Sequence, residues 1–199
     1  GLLAGLNVLA IINEPTAAAL AFAGNKMPPN GTGGASNFVS EAILVYDLGG
    51  GTFDVSIVKL EGSDFVVQAT DGNARLGGLD WDKCLAAWLD DQFEASHSIR
   101  PSEELPGKVM LMREAEEIKK SLTARQQCRV RLVWEGLHLN TVVKRSEFED
   151  LTAHLLDRTC FTVRHLLQEN QITWKDIDRI VLVGGSTRMP QVRRALQRE

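Results

Sequence analysis

Asp47-Leu48-Gly49-Gly50-Gly51-Thr52-Phe53-Asp54 is the stretch of this 199-residue chain whose residue types carry the most chemistry. Three successive glycines let a backbone take positive φ and approach a ligand with no Cβ in the way. Their N–H groups, with the Thr52 hydroxyl, can then line a concave anion site for phosphate oxygens. Asp47 and Asp54 would repel bare phosphate, so a hydrated Mg²⁺ or another cation has to mediate. Phe53, Val55, Ile57 and Leu60 predict a strand after the turn, whereas the P-loop and the dinucleotide fingerprint lead into a helix. A plain glycine hairpin whose acids merely end two strands fits the same residues.

Two further segments could complete a site. Val183-Gly184-Gly185-Ser186-Thr187-Arg188 reads as a buried strand, a turn and a fresh helix, which puts a crevice at the strand's carboxyl end. Gly184 and Gly185 would let a flat base lie close to the backbone, and Arg188 could stack on it or reach a phosphate. An ordinary strand-to-helix loop with an exposed Arg reads the same way. On the helix expected over Lys108–Leu122, Glu116, Lys119, Lys120 and Thr123 fall on one face. They could hold ribose hydroxyls and flank a base, or form a solvated salt-bridge face with Glu116–Lys120 as a helix pair. Glu14, between Asn13 and Pro15, suits either a cation-bound water or a helix entry. Gly77 and Gly78 are candidate phosphate neighbours, with Asp80 and Asp82 as acids at a helix N-terminus.

The rest of the composition excludes more than it offers. A net charge of -4 argues against a phosphate-backbone binder and hence against a nucleic-acid partner. Cys84, Cys128 and Cys160 are too scattered for a disulfide framework or a zinc site and read as buried free thiols of a reducing compartment. The four histidines show no metal spacing. The apolar opening, Leu2–Ala23, lacks a basic start and carries Asn13-Glu14-Pro15, so it reads as core and not as a signal peptide or a membrane span.

The elements that must position these residues follow from periodicity and turn chemistry. Strands are expected at Asn7–Ile12, Ala42–Tyr46, Phe53–Leu60, Phe65–Ala69 and Arg179–Val183, and helices at Pro15–Ala23, Trp81–Phe93 and Lys108–Leu122. Asn25–Ser40 and Ile99–Pro106 read as loops. Cys128–Trp134 and Leu137–Val143 flank Glu135-Gly136 as a hairpin. Ser146-Glu147-Phe148-Glu149 reads as a capping box opening one long helix to about Gln168. This order predicts an α/β layer with an α+β insertion. With no initiator Met, an element cut at Gly1–Leu6 and a helix just begun at Pro190–Glu199, the chain is expected to be a piece of a longer protein.

Asn13-Glu14-Pro15-Thr16-Ala17-Ala18-Ala19, Asp47 through Ser56, Leu76-Gly77-Gly78-x-Asp80-x-Asp82 and Leu182 through Pro190, in this order and approximate spacing, resemble the ATPase domain of the seventy-kilodalton heat-shock chaperones of the DnaK type. The resemblance spans essentially the whole chain. It implies an actin-like (ribonuclease H-like) α/β ATPase lobe, the second of two, with residues 1–76 and 153–199 as its base and 77–152 as an inserted upper subdomain. By motif position, Gly49, Gly50, Gly51 and Thr52 would contact the phosphates of ATP or ADP, with Gly78 nearby. Asp47, Asp54 and Glu14 would be the catalytic carboxylates, organising Mg²⁺, potassium and water. Glu116, Lys119, Lys120, Thr123, Gly184, Gly185, Ser186 and Arg188 would clasp the adenosine.

The implied partners are a nucleotide-exchange factor on the upper subdomain, a J-domain co-chaperone, and unfolded client peptides held by a domain outside this chain, in the cytoplasm. The family's first lobe also lies outside it, so the chain alone is expected to be inactive. Leu79 stands where an acid is common, Lys120 where many members have Arg, and the 25–40 loop is longer than usual. A small-molecule kinase of the same superfold and a nucleotide-independent interaction module are the alternatives.

Overall fold

In the computed structural model the described residues are 2–24, 40–61 and 64–199; the loop expected over 25–40 lies, apart from its last residue, outside them. A four-stranded mixed sheet carries the fold, built from β1 (Glu41–Leu48), β2 (Phe53–Glu61), β3 (Asp64–Asn73) and β6 (Arg179–Val183) in the order β3-β2-β1-β6. β1 pairs antiparallel with β2 and parallel with β6. Its unbroken apolar run, Ala42 to Tyr46, suits a strand covered on both faces. Ile43 and Val45 turn to one side, where with Val58 they bury Ala19 of α1 (Glu14–Gly24). Leu44, Tyr46 and Leu48 turn to the other, into a larger core with Leu155, Val163 and Leu166 of α5 (Ala153–Glu169). The buried Tyr46 hydroxyl donates to Thr159 Oγ1 at 2.7 Å, tying strand to helix.

Between β3 and α5 the chain builds the insertion from α2 (Gly78–His97), α3 (Leu105–Ala124), the hairpin β4 (Gln127–Trp134) and β5 (Leu137–Lys144), and α4 (Arg145–Leu151). Trp81, Leu85, Leu89 and Phe93 recur at every fourth position on α2 and meet Leu111, Ala115, Ile118 and Leu122 of α3 over the inner face of the hairpin. Buried Asp90 fixes the α2–α3 connection by accepting from Arg100 Nη1 at 3.0 Å and from the backbone and hydroxyl of Ser102. Glu135 and Gly136 both take positive φ, 48° and 79°, as a two-residue hairpin turn requires.

The structure departs from the sequence expectations in several places. Asn7–Ile12 pairs with no strand among the described residues, and Leu9 and Ile11 are over nine-tenths exposed. An apolar run specifies a strand only where a neighbouring ladder can receive it. β6 is not buried: it forms an edge of the sheet, and Ile180 and Leu182 remain more than a third exposed. β3 runs on to Asn73, and Pro101–Glu103 forms a short 3-10 turn within the expected loop.

The long helix is two. Thr152 breaks it (φ −108°, ψ 8°), its hydroxyl donating to Phe148 O at 2.8 Å and accepting from Gln191 Nε2 of α6 (Pro190–Leu196) at 3.2 Å. The capping box also shifts by two residues. Glu147 accepts from the Lys144 N–H at 2.9 Å because the helix starts where β5 ends, and Glu149 pairs with Arg194 instead. Only Cys160 is buried; Cys84 and Cys128 are half-buried.

Candidate functional site

The glycine loop is pinned by its carbonyls. Gly49 N–H donates to Thr52 O at 3.0 Å, and the first turn of α2 reaches across, Gly78 N–H to Gly49 O at 2.9 Å and Leu79 N–H to Gly50 O at 2.8 Å. Ser186 Oγ adds a second donor to Gly49 O at 3.0 Å. The amides of Gly50 and Gly51 donate to nothing among the described residues, which leaves them available to an anion. The expected positive φ at 49–51 is not observed, and the only such glycines among the described residues are Gly5, Gly136 and Gly184. With its carbonyls held from outside, the four-residue loop turns without left-handed backbone.

Close packing falls on other glycines. A Cβ on Gly77 would stand 2.5 Å from Gly51 N, and one on Gly78 would overlap the Ser186 hydroxyl. Gly184 combines φ +85° with a Cβ position overlapping the Leu48 carbonyl. At Gly50 and Gly51 a Cβ would meet nothing within 4 Å.

Beside the loop opens a cleft of about 460 Å³. Gly50 and Gly78 form its floor, Glu116, Lys119, Lys120 and Thr123 its α3 wall, and Gly185, Ser186 and Arg188 the facing wall. Nine sequence-selected residues from four segments thus meet around one cavity. Gly49 and Gly184 support it from behind, and Gly51 and Thr52 sit exposed on the loop without lining it. Asp82, Leu79 and Met189 also line the cleft. Asp82 was legible only as an acid at a helix start; its place beside Lys119 depends on how α2 packs on α3.

The α3 face carries both kinds of pairing that its spacing allows. Lys120 Nζ stands 2.9 Å from Glu116 Oε1 and 3.1 Å from Glu117 Oε1, all three largely exposed, and this holds the Glu116 carboxyl below its ordinary range. Lys119 turns inward and is claimed by Asp82 at 2.7 Å and by the Gly78 carbonyl at 2.9 Å. Burial pushes the Asp82 carboxyl up while Lys119 pulls it back. Asp80 does what a helix-start acid should: it accepts from Gly77 N–H at 2.9 Å and holds Lys83.

The three remaining acids gather at another edge of the loop. Asp47 and Asp54 are register partners at the ends of β1 and β2, and Glu14 comes from the first residue of α1. Partial burial, then Glu14 beside it, then Asp54, push the Asp47 carboxyl up to about 6. Mutual repulsion of this kind is relieved by a cation. Among the described residues, no group of three or more His, Cys, Asp or Glu is arranged to hold a metal ion directly.

A family model described as Hsp70 protein matches residues 1–199, and the chain belongs to that family. It is 40% identical over 200 residues to the chaperone protein DnaK of Metamycoplasma hominis, covering 98% of this chain and 32% of that protein. The DnaK proteins of Mycoplasmopsis synoviae (strain 53) and Mycoplasmopsis pulmonis (strain UAB CTIP) are also 40% identical, over 100% and 96% of this chain and 32% and 31% of theirs. The chain thus spans about a third of the length of these relatives. They do not favour the small-molecule kinase or the nucleotide-independent module. No helix among the described residues is long and apolar enough to cross a membrane.

Proposed function

We propose that this chain is the second lobe of the ATPase domain of an ATP-dependent molecular chaperone, an actin-like lobe with residues 77–152 inserted into a base formed by 1–76 and 153–199. The observation that carries this is the convergence of the glycine loop, the α2 start, the α3 face and the Gly185–Arg188 turn around one cleft. A nucleotide would lie with its adenosine between Lys120, Thr123 and Arg188, its ribose at Glu116 and Lys119, and its phosphates on the Gly50 and Gly51 amides and the Thr52 hydroxyl.

Asp47, Asp54 and Glu14 fit a hydrated Mg²⁺, with potassium alongside. Three crowded carboxylates, one of them raised to about 6, gain from a cation, which would be held largely through water. The cation, when bound, supplies charge neutralisation for the phosphates. The chain's own contribution is to position: its amides fix phosphate oxygens, its carboxylates orient water, and its α3 face fixes the sugar.

Hydrolysis would be coupled in the full-length protein to client-peptide binding. A J-domain co-chaperone and a nucleotide-exchange factor would act on it, the latter on the insertion, in the cytoplasm. The test is turnover by the full-length protein against the 199-residue chain. The full-length protein is expected to hydrolyse ATP and to lose that activity in Gly50→Val and Asp47→Asn, whereas the chain alone hydrolyses it negligibly. Turnover by the chain alone that survives both substitutions overturns this division of labour.

A further inference from the structure

Asp82 carries more than its place at a helix start explains. It is 2% exposed and gives one oxygen to Lys119 Nζ at 2.7 Å. Its other oxygen, Oδ1, is buried with no hydrogen-bond partner. A buried ion pair adds little net stability, and a half-satisfied carboxylate less still, so well-packed apolar residues would serve the fold as well. The pair sits on the cleft wall, and both residues line it.

Lys119 has three protons to place. Asp82 takes one and the Gly78 carbonyl, at 2.9 Å, takes a second. The third has no partner among the described residues, and Lys119 lines the cleft. The N–H of that same peptide unit, carried by Leu79, donates to Gly50 O at 2.8 Å. A line of hydrogen bonds thus runs from Asp82 through Lys119 and Gly78 to the glycine loop, joining the wall where a sugar would lie to the loop where phosphates would lie.

We infer that Asp82 is a positioning residue: by clamping Lys119 against Gly78 it aims the remaining Lys119 N–H at a ribose hydroxyl of the bound nucleotide. This rests on the nucleotide site proposed above. Without Asp82 the Lys119 ammonium swings free, and the hydroxyl loses a charged donor, a contact worth about tenfold in affinity or more.

The experiment measures ADP, 2′-deoxy-ADP and 3′-deoxy-ADP binding to the full-length protein by calorimetry, for the native protein and for Asp82→Asn. The native protein is expected to prefer ADP over one deoxy analogue. Asp82→Asn is expected to bind ADP about tenfold more weakly and that analogue almost unchanged, with kcat at saturating ATP within about twofold of native. Asp82→Glu, which keeps the charge, is expected to restore part of the preference.

Should Asp82→Asn not fold, Asp82→Leu/Lys119→Met, which removes both charges together, reads the same loss of preference. If the native protein binds ADP and the variants keep its full hydroxyl preference, or weaken all three ligands equally, the role given to Asp82 is wrong and the nucleotide site stands. If the native protein binds no adenine nucleotide, both fall.

Discussion

Asp47 shows how a single side chain can be at odds with the fold that holds it. Its carboxyl titrates near 6 in the folded protein against 3.8 as the ordinary value. The native state therefore holds that proton more tightly than the unfolded chain, and stability falls as pH rises through this window. Asp47→Asn removes the conflict. Its advantage over the native residue is expected to be absent at pH 4, to grow up to about pH 6 and to level off there. Solvent screening keeps it to no more than about 1 kcal/mol. Urea denaturation of the metal-free protein at both pH values measures it. The glycines divide in the same way. Gly184→Ala is expected to cost about 1–3 kcal/mol because it forces an L side chain to φ +85° against the Leu48 carbonyl. Gly50→Ala, with nothing within 4 Å, should shift stability by less than about 0.5 kcal/mol while weakening nucleotide binding. Paired thermal melts and ADP titrations separate the two effects.

Among the elements, the junction of α4 and α5 is set by one hydroxyl. Thr152 is fully buried and bonded both to its own preceding turn and to Gln191. Thr152→Val preserves its shape but leaves the Gln191 amide nitrogen only the weak Met189 sulfur acceptor, and is expected to cost about 1–3 kcal/mol in chemical denaturation. The β4–β5 turn offers the opposite opportunity. Glu135 sits at φ 48°, a conformation that Asn accepts more readily, so Glu135→Asn should raise stability by about 0.5 kcal/mol. The periodicities of α2 and α3 were legible in the sequence because each buries one face along its whole length. The break at Thr152 was not, since the residues around it continue a helical pattern and the locking partner lies 39 positions away.

For the molecule as a whole, the apolar stretch Leu6–Ile12 lies open: Leu6 is 64% exposed, Leu9 91% and Ile11 92%. An exposed apolar segment invites association with another chain. The 199-residue chain is expected to self-associate at micromolar concentration, and Leu9→Lys/Ile11→Lys to return it to a monomer in sedimentation velocity. A native chain that stays monomeric counts against this.

What the sequence determined by itself was what depends on neighbours along the chain. Apolar runs and alternation drew the strands, one apolar face drew the helices, and glycine pairs marked the turns, because each reflects forces acting over a few residues. The motifs too were legible, and nine of their residues meet at one cleft. Tertiary structure decided what depends on partners far away: that Asn7–Ile12 finds no ladder among the described residues, that β6 is an edge, and that Asp82 is a buried clamp and not a solvated acid. Burial and hydrogen-bond satisfaction belong to a site in space, and a linear pattern fixes them only when one element supplies every neighbour.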